Sequence, residues 1–149
     1  MSSNPVYTFF STPANPGPFF LRMTLAVTFF YHGMQKAFGW FGGEGWTATI
    51  EAWTAVDGIS LPYVAVAILI VLELIIAALL FFGFLTRLGG FVVVLLMIGA
   101  LIYIHGGSSF EEVEHAILLL AAGLTLVFTG GGWFSLDRGI SKNLLPSVG

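Results

Sequence analysis

The chain has 149 residues, 57% of them apolar and only 9% charged, with a net charge of −3 and no cysteine. A typical soluble domain carries about 25% charge, and a mean hydropathy of +0.95 leaves too few polar side chains to face water. The figures exclude a soluble globular enzyme, a disordered chain and a nucleic-acid binder, which needs clustered positive charge. Without cysteine there are no disulfides, iron–sulfur clusters, Cys–zinc sites or covalently attached haem. The composition is that of an integral membrane protein.

Residues 1–18 read as an irregular arm, with prolines at 5, 13, 16 and 18. The arm lacks the basic start of a signal peptide, so the first apolar run is expected to remain as an anchor. A helix needs roughly 20 apolar residues to cross the hydrocarbon core, and four runs qualify, at about 19–38, 62–82, 88–105 and 113–129. In the second, Pro62 stands in the first turn, where its missing N–H does no harm, and Glu73 is the only charge. The fourth is short and crosses by extension or tilt. None of the runs alternates as a barrel strand would. The expected fold is all-α, an integral membrane four-helix bundle, followed by a cytoplasmic tail at 140–149.

Four spans put both termini on one side with the turn at 83–87. That side holds Arg22, Arg87, Arg138 and Lys142, and the other holds Lys36 among Glu44, Glu51, Asp57, Glu111, Glu112 and Glu114. The positive-inside rule then puts both termini in the cytoplasm, as in a multi-pass protein of a bacterial-type inner membrane. The outer segment 39–61 carries Trp46, Ile50 and Trp53 at helical spacing, which predicts a short helix lying in the headgroup layer. A lid or a docking surface is the functional alternative.

Three fragments then combine. Leu21-Arg22 precedes Tyr31-His32-Gly33-Met34-Gln35-Lys36; Glu73 precedes Gly83-Phe84-Leu85-Thr86-Arg87; and Gly132-Trp133-Phe134-Ser135-Leu136-Asp137-Arg138 follows the fourth run. In this order, at these helix ends, they resemble the signature segments of the DoxX family over roughly residues 19–139. The resemblance implies a four-helix membrane domain and association with redox complexes, since related proteins include the membrane subunit of thiosulfate:quinone oxidoreductase. It carries no single chemistry with it.

The intramembrane polar residues are the candidate site. A carboxylate near the bilayer centre is costly, roughly 2.5–3.5 kcal/mol for Asp on insertion scales, so Glu73 must be protonated, paired or wet. At 1.5 Å per residue, Glu73 lies about 14 Å above the cytoplasmic end of its helix, Arg22 about 5 Å and His32 about 20 Å. Arg22 is expected to snorkel down to the headgroups, which leaves His32 as the preferred partner of Glu73. The pair is either a helix clamp or a proton-handling site. His32 and Lys36 share a helix face with Gln35 adjacent; together with Trp40 they suit a quinone or lipid head group. His105, His115 and Glu114 are weak metal candidates from separate helices, and nothing pins two histidines opposite each other as axial haem ligands. Gly89, Gly90, Gly99 and Ala100 in the third helix, with Ala77 and Ala78 in the second, predict close helix contacts. Asp137 and Arg138 are expected at the headgroup boundary.

These features point to an accessory subunit of a redox or respiratory membrane complex, packed against larger subunits and lipid, with quinone or bound lipid as its expected ligand, no covalent cofactor and no catalysis of its own. The alternative is the quinone-facing subunit of a thiosulfate or thiol:quinone oxidoreductase.

Overall fold

The structure, a computed structural model, describes residues 5–55, 61–103 and 109–144. Within them every element is helical: α1 (Pro5–Phe10), α2 (Pro16–Phe38), a 3-10 turn (Trp40–Gly42), α3 (Gly45–Thr54), α4 (Tyr63–Phe82), α5 (Thr86–Tyr103), α6 (Phe110–Thr129) and α7 (Leu136–Leu144). The protein is all-α, and its apolar helices are those of a membrane helical bundle. Among the described residues α4 alone is both long and apolar enough to cross a membrane, with a mean hydropathy of 3.1, and only 28% of that stretch is buried within the protein. A core helix of a soluble protein would be mostly buried; this one turns Val64, Ile68, Phe81 and Phe82 outward. Thr86–Ile102 and Val113–Thr129 are shorter apolar helices.

Local chemistry sets the boundaries. α2 starts at Pro16 rather than Phe19 because the Asn15 side chain accepts the Gly17 N–H at 2.9 Å, an N-cap, with proline in the first helical position where it is tolerated. α4 ends in a Schellman arrangement: Phe84 N–H bonds to Leu79 C=O at 3.0 Å and Gly83 N–H to Leu80 C=O at 3.2 Å. Gly83 has φ +64°, which a side chain would strain. The expected irregular arm contains α1, and the expected tail opens as helix α7, which the capping Ser135 starts by accepting Arg138 N–H at 3.3 Å.

The chain divides into two units, residues 26–78 and residues 1–25 with 79–149. In the first, α3 packs its apolar face inward: Ile50 joins Val66 and Ile70 of α4, flanked by Trp46, Trp53, Ala37 and Leu61. The spacing of Trp46, Ile50 and Trp53 thus marks the face of α3 that packs on α4. Gly33 of α2 lies against α4, where a Cβ would fall 2.7 Å from Leu74 Cδ2.

In the second unit α5 and α6 pack on each other, and α1 packs on α7. The crossing of α5 and α6 is set by Gly90, where a Cβ would stand 2.7 Å from Gly123 C=O. Of the other predicted small-residue contacts, Gly89 meets Leu80 while Gly99 faces open space.

Candidate functional site

Arg22 does not snorkel. It is 1% exposed, and its five N–H groups meet five backbone carbonyls. Nε donates to Gly131 (3.0 Å), Nη1 to Leu80 (2.7 Å) and Phe81 (2.6 Å), and Nη2 to Trp133 (3.1 Å) and Phe134 (2.8 Å). Two of these carbonyls belong to the last turn of α4, where acceptors have no intrahelical donor and a cation is favoured. Burial within α2 gives the guanidinium more acceptors than the headgroup layer offers, and the loop 131–134 is built around it.

Asp137 is buried too, at 3% exposure, so its carboxylate faces the protein and not the headgroups. Its Oδ1 accepts Leu85 N–H at 2.7 Å and its Oδ2 accepts Thr86 N–H at 2.8 Å, placing an anion on the first turn of α5, as the helix dipole favours. Asp137 N–H returns to Gly83 C=O at 3.0 Å. Arg87 binds the other end, donating to Val127 (2.5 Å) and Phe128 (2.7 Å) of α6 and to Phe9 (3.1 Å) and Ser11 (2.9 Å) of the arm. Arg22, Arg87 and Asp137 therefore serve the main chain.

In the 26–78 unit the charged chemistry is of another kind. Lys36 Nζ donates to Glu73 Oε1 at 2.5 Å, with the two side chains 24% and 13% exposed. The ammonium also stands 5.1 Å from the centre of the Trp53 ring, a cation–π distance. Glu73 Oε2 is buried and has no hydrogen-bond partner among the described residues. The preferred partner was His32; the ion pair is with Lys36, one turn further along the same face of α2. Lys36 wins because a four-carbon stem carries its charge across to α4, and depth along the axis does not register that reach.

The remaining candidates scatter. His32 stands edge-on to Tyr31, whose ring stacks on Phe41 at 4.9 Å. The Gln35 amide donates to Phe41 C=O at 3.4 Å, and Trp40 is exposed on the 3-10 turn. Glu114 and His115 are exposed near the start of α6. His105, Asp57 and the side chains of Glu111 and Glu112 lie outside the described residues. Among the described residues no cluster of three or more His, Asp or Glu has metal-site geometry. A shallow apolar groove of about 370 Å³ runs beside Trp46 along Tyr63, Ile68, Val71 and Ile75, on the opposite face of α4 from Glu73.

Apolar helices tied at their ends by buried charges, and an ion pair between two apolar helices among the described residues, are those of an α-helical membrane protein. The family model for DoxX matches residues 17–106, and the chain belongs to that family of integral membrane proteins. The chain is 32% identical over 127 residues, 85% of its own length and 88% of the relative's, to the Bacillus subtilis (strain 168) protein named "Putative oxidoreductase CatD". No solved structure matches it.

Proposed function

We propose that this protein is an accessory integral membrane subunit of a redox or respiratory complex, packing against larger subunits and lipid, with a head-group site at Lys36 and Glu73. One observation carries the reading: a carboxylate inside an apolar helix, ion-paired through one oxygen, with its other oxygen buried and without a partner among the described residues. A helix clamp alone is best made with both oxygens satisfied, since a stranded buried acceptor costs about 1–3 kcal/mol. A ligand O–H or N–H beside Lys36 would meet that need.

A quinone head group fits this donor set. Its carbonyls would take the spare Lys36 N–H groups, and in the reduced form its hydroxyl would find Glu73 Oε2, with His32 one turn away on the same face of α2. When bound, a quinone supplies a two-electron, two-proton couple; the protein's own part is to hold the ring and to carry a proton at Glu73. The same orphaned oxygen, together with the oxidoreductase name of the relative, favours a second reading, the quinone-facing subunit of a thiosulfate or thiol:quinone oxidoreductase. In both readings the termini are cytoplasmic, on the lysine and arginine count.

Mild-detergent purification, with an absorbance spectrum and mass spectrometry of what co-elutes, tests the proposal. Larger subunits and a lipid-soluble quinone are expected with the wild type. Lys36→Met and Glu73→Gln should lose the quinone and keep the subunits. A stable, uncomplexed protein that reduces quinone unaided would overturn the accessory reading. Unchanged quinone content in both variants would overturn the head-group site.

A further inference from the structure

The segment joining α6 to α7 has an exposed edge that the reading above does not use. Trp133 is 41% exposed, Phe134 80% and Leu136 53%. Phe134 holds φ +51°, a left-handed conformation that a bulky residue adopts only when its surroundings impose it. Here they do: the Trp133 and Phe134 carbonyls are both taken by Arg22 Nη2, and the Ser135 hydroxyl bonds back to Gly132 C=O at 3.0 Å. With the main chain fixed from inside, the aromatic side chains are directed outward.

The helix that follows adds charge. Arg138 and Lys142 stand four residues apart, on one face of α7. Neither side chain has a hydrogen-bond or ion-pair partner among the described residues. The acid of α7, Asp137, is buried and occupied with the Leu85 and Thr86 N–H groups, so it offers no competing anion outside. The buried side of α7 is instead polar, made of Asp137 and Ser141, and the large apolar residue Leu136 faces out.

In an integral membrane protein an outward aromatic–aliphatic edge leading into a helix with two cations that have no partner among the described residues has one complementary surface: acyl chains for the edge and phosphate for the charges. We propose that Trp133, Phe134 and Leu136, with Arg138 and Lys142, form a binding site for an anionic phospholipid of the surrounding bilayer. The lipid docks α7 in the headgroup layer, while Arg22 and Asp137 hold the site rigid from the protein side. The inference needs only membrane insertion and is independent of the Lys36–Glu73 site.

The test uses the full chain reconstituted in phosphatidylcholine vesicles doped with phosphatidylglycerol, re-extracted in mild detergent, with the retained lipids quantified by mass spectrometry. The wild type is expected to be enriched in phosphatidylglycerol over the bulk ratio. Arg138→Gln and Lys142→Gln should each lower that enrichment about fivefold, and the double variant should abolish it. Trp133→Ala with Phe134→Ala should lower the total lipid retained, and thermal melting in phosphatidylcholine alone verifies that each variant is folded. Lys142→Gln, on the exposed face near the end of the helix, keeps the test open should Arg138→Gln fail to fold. Wild-type enrichment in the double charge variant would overturn the proposal. So would an equal loss in Lys36→Gln, because the effect would then follow overall charge and not this surface.

Discussion

Arg22→Lys isolates the part of the fold that depends on geometry rather than on charge. Arginine offers five N–H donors in a rigid fork, and lysine three on a point charge. All five are used at Arg22, with donor–acceptor distances between 2.6 and 3.1 Å, so lysine leaves at least two carbonyls without a side-chain donor even with perfect placement. Leu80 C=O also accepts Gly83 N–H and is the least affected; the loss therefore falls on Phe81, Gly131, Trp133 and Phe134. Lysine covers at most three of these four; with one or two stranded, at roughly 1–3 kcal/mol each, the cost is about 1–6 kcal/mol. For a chain of this size that lowers the melting temperature by roughly 3–20 °C. Thermal unfolding in mild detergent, followed by tryptophan fluorescence, reads the size of the effect. Amide exchange at Trp133, whose N–H bonds to Asn15 C=O, reads its place: protection should fall there and hold in the middle of α5 and α6. A lysine variant that melts with the wild type, its Trp133 amide equally protected, would refute the five-carbonyl argument.

Asp137→Asn leaves one carbonyl oxygen for two N–H groups and sets an NH2 against the start of α5; about 1–3 kcal/mol of stability should be lost, read as a lower melting temperature. Gly90→Ala pushes a methyl into the Gly123 backbone, and overpacking of this kind costs about 1–3 kcal/mol; Gly99→Ala, in open space, should melt with the wild type. Lys36→Leu or Glu73→Leu alone leaves a buried charge unpaired, at about 3 kcal/mol, whereas the double change to leucine should recover most of the loss; additive losses would mean that the two are not energetically coupled. For topology, Asn143→Cys, at an exposed position, should react with a membrane-impermeant thiol reagent only from the cytoplasmic side and Glu44→Cys only from outside, with mass tagging as the readout.

The amino-acid sequence alone determined the class of the protein. Hydropathy acts residue by residue, so a chain with 9% charge and long apolar runs declares a membrane helical protein without any knowledge of contacts. Its punctuation was equally local: Pro62 at the start of α4, and Gly83 and Gly130 after α4 and α6, are needs of single backbone positions. The fragments around Arg22, Gly83–Arg87 and Ser135–Arg138 could be read as belonging together, but not what they do together. What tertiary structure decided is where each charge goes. Arg22 looked like a headgroup anchor because depth along one helix is all that rise per residue gives; its five acceptors come from two segments distant in sequence, the end of α4 and the loop 131–134. Asp137 looked superficial for the same reason, until the N-terminus of α5 arrived above it. The partner of Glu73 was missed by one helical turn, since the choice between His32 and Lys36 rests on side-chain reach and on the Trp53 ring beside the ammonium. Hydrophobicity is additive along a chain, whereas a hydrogen bond to a particular carbonyl depends on two segments meeting at a distance and an angle that no local window contains.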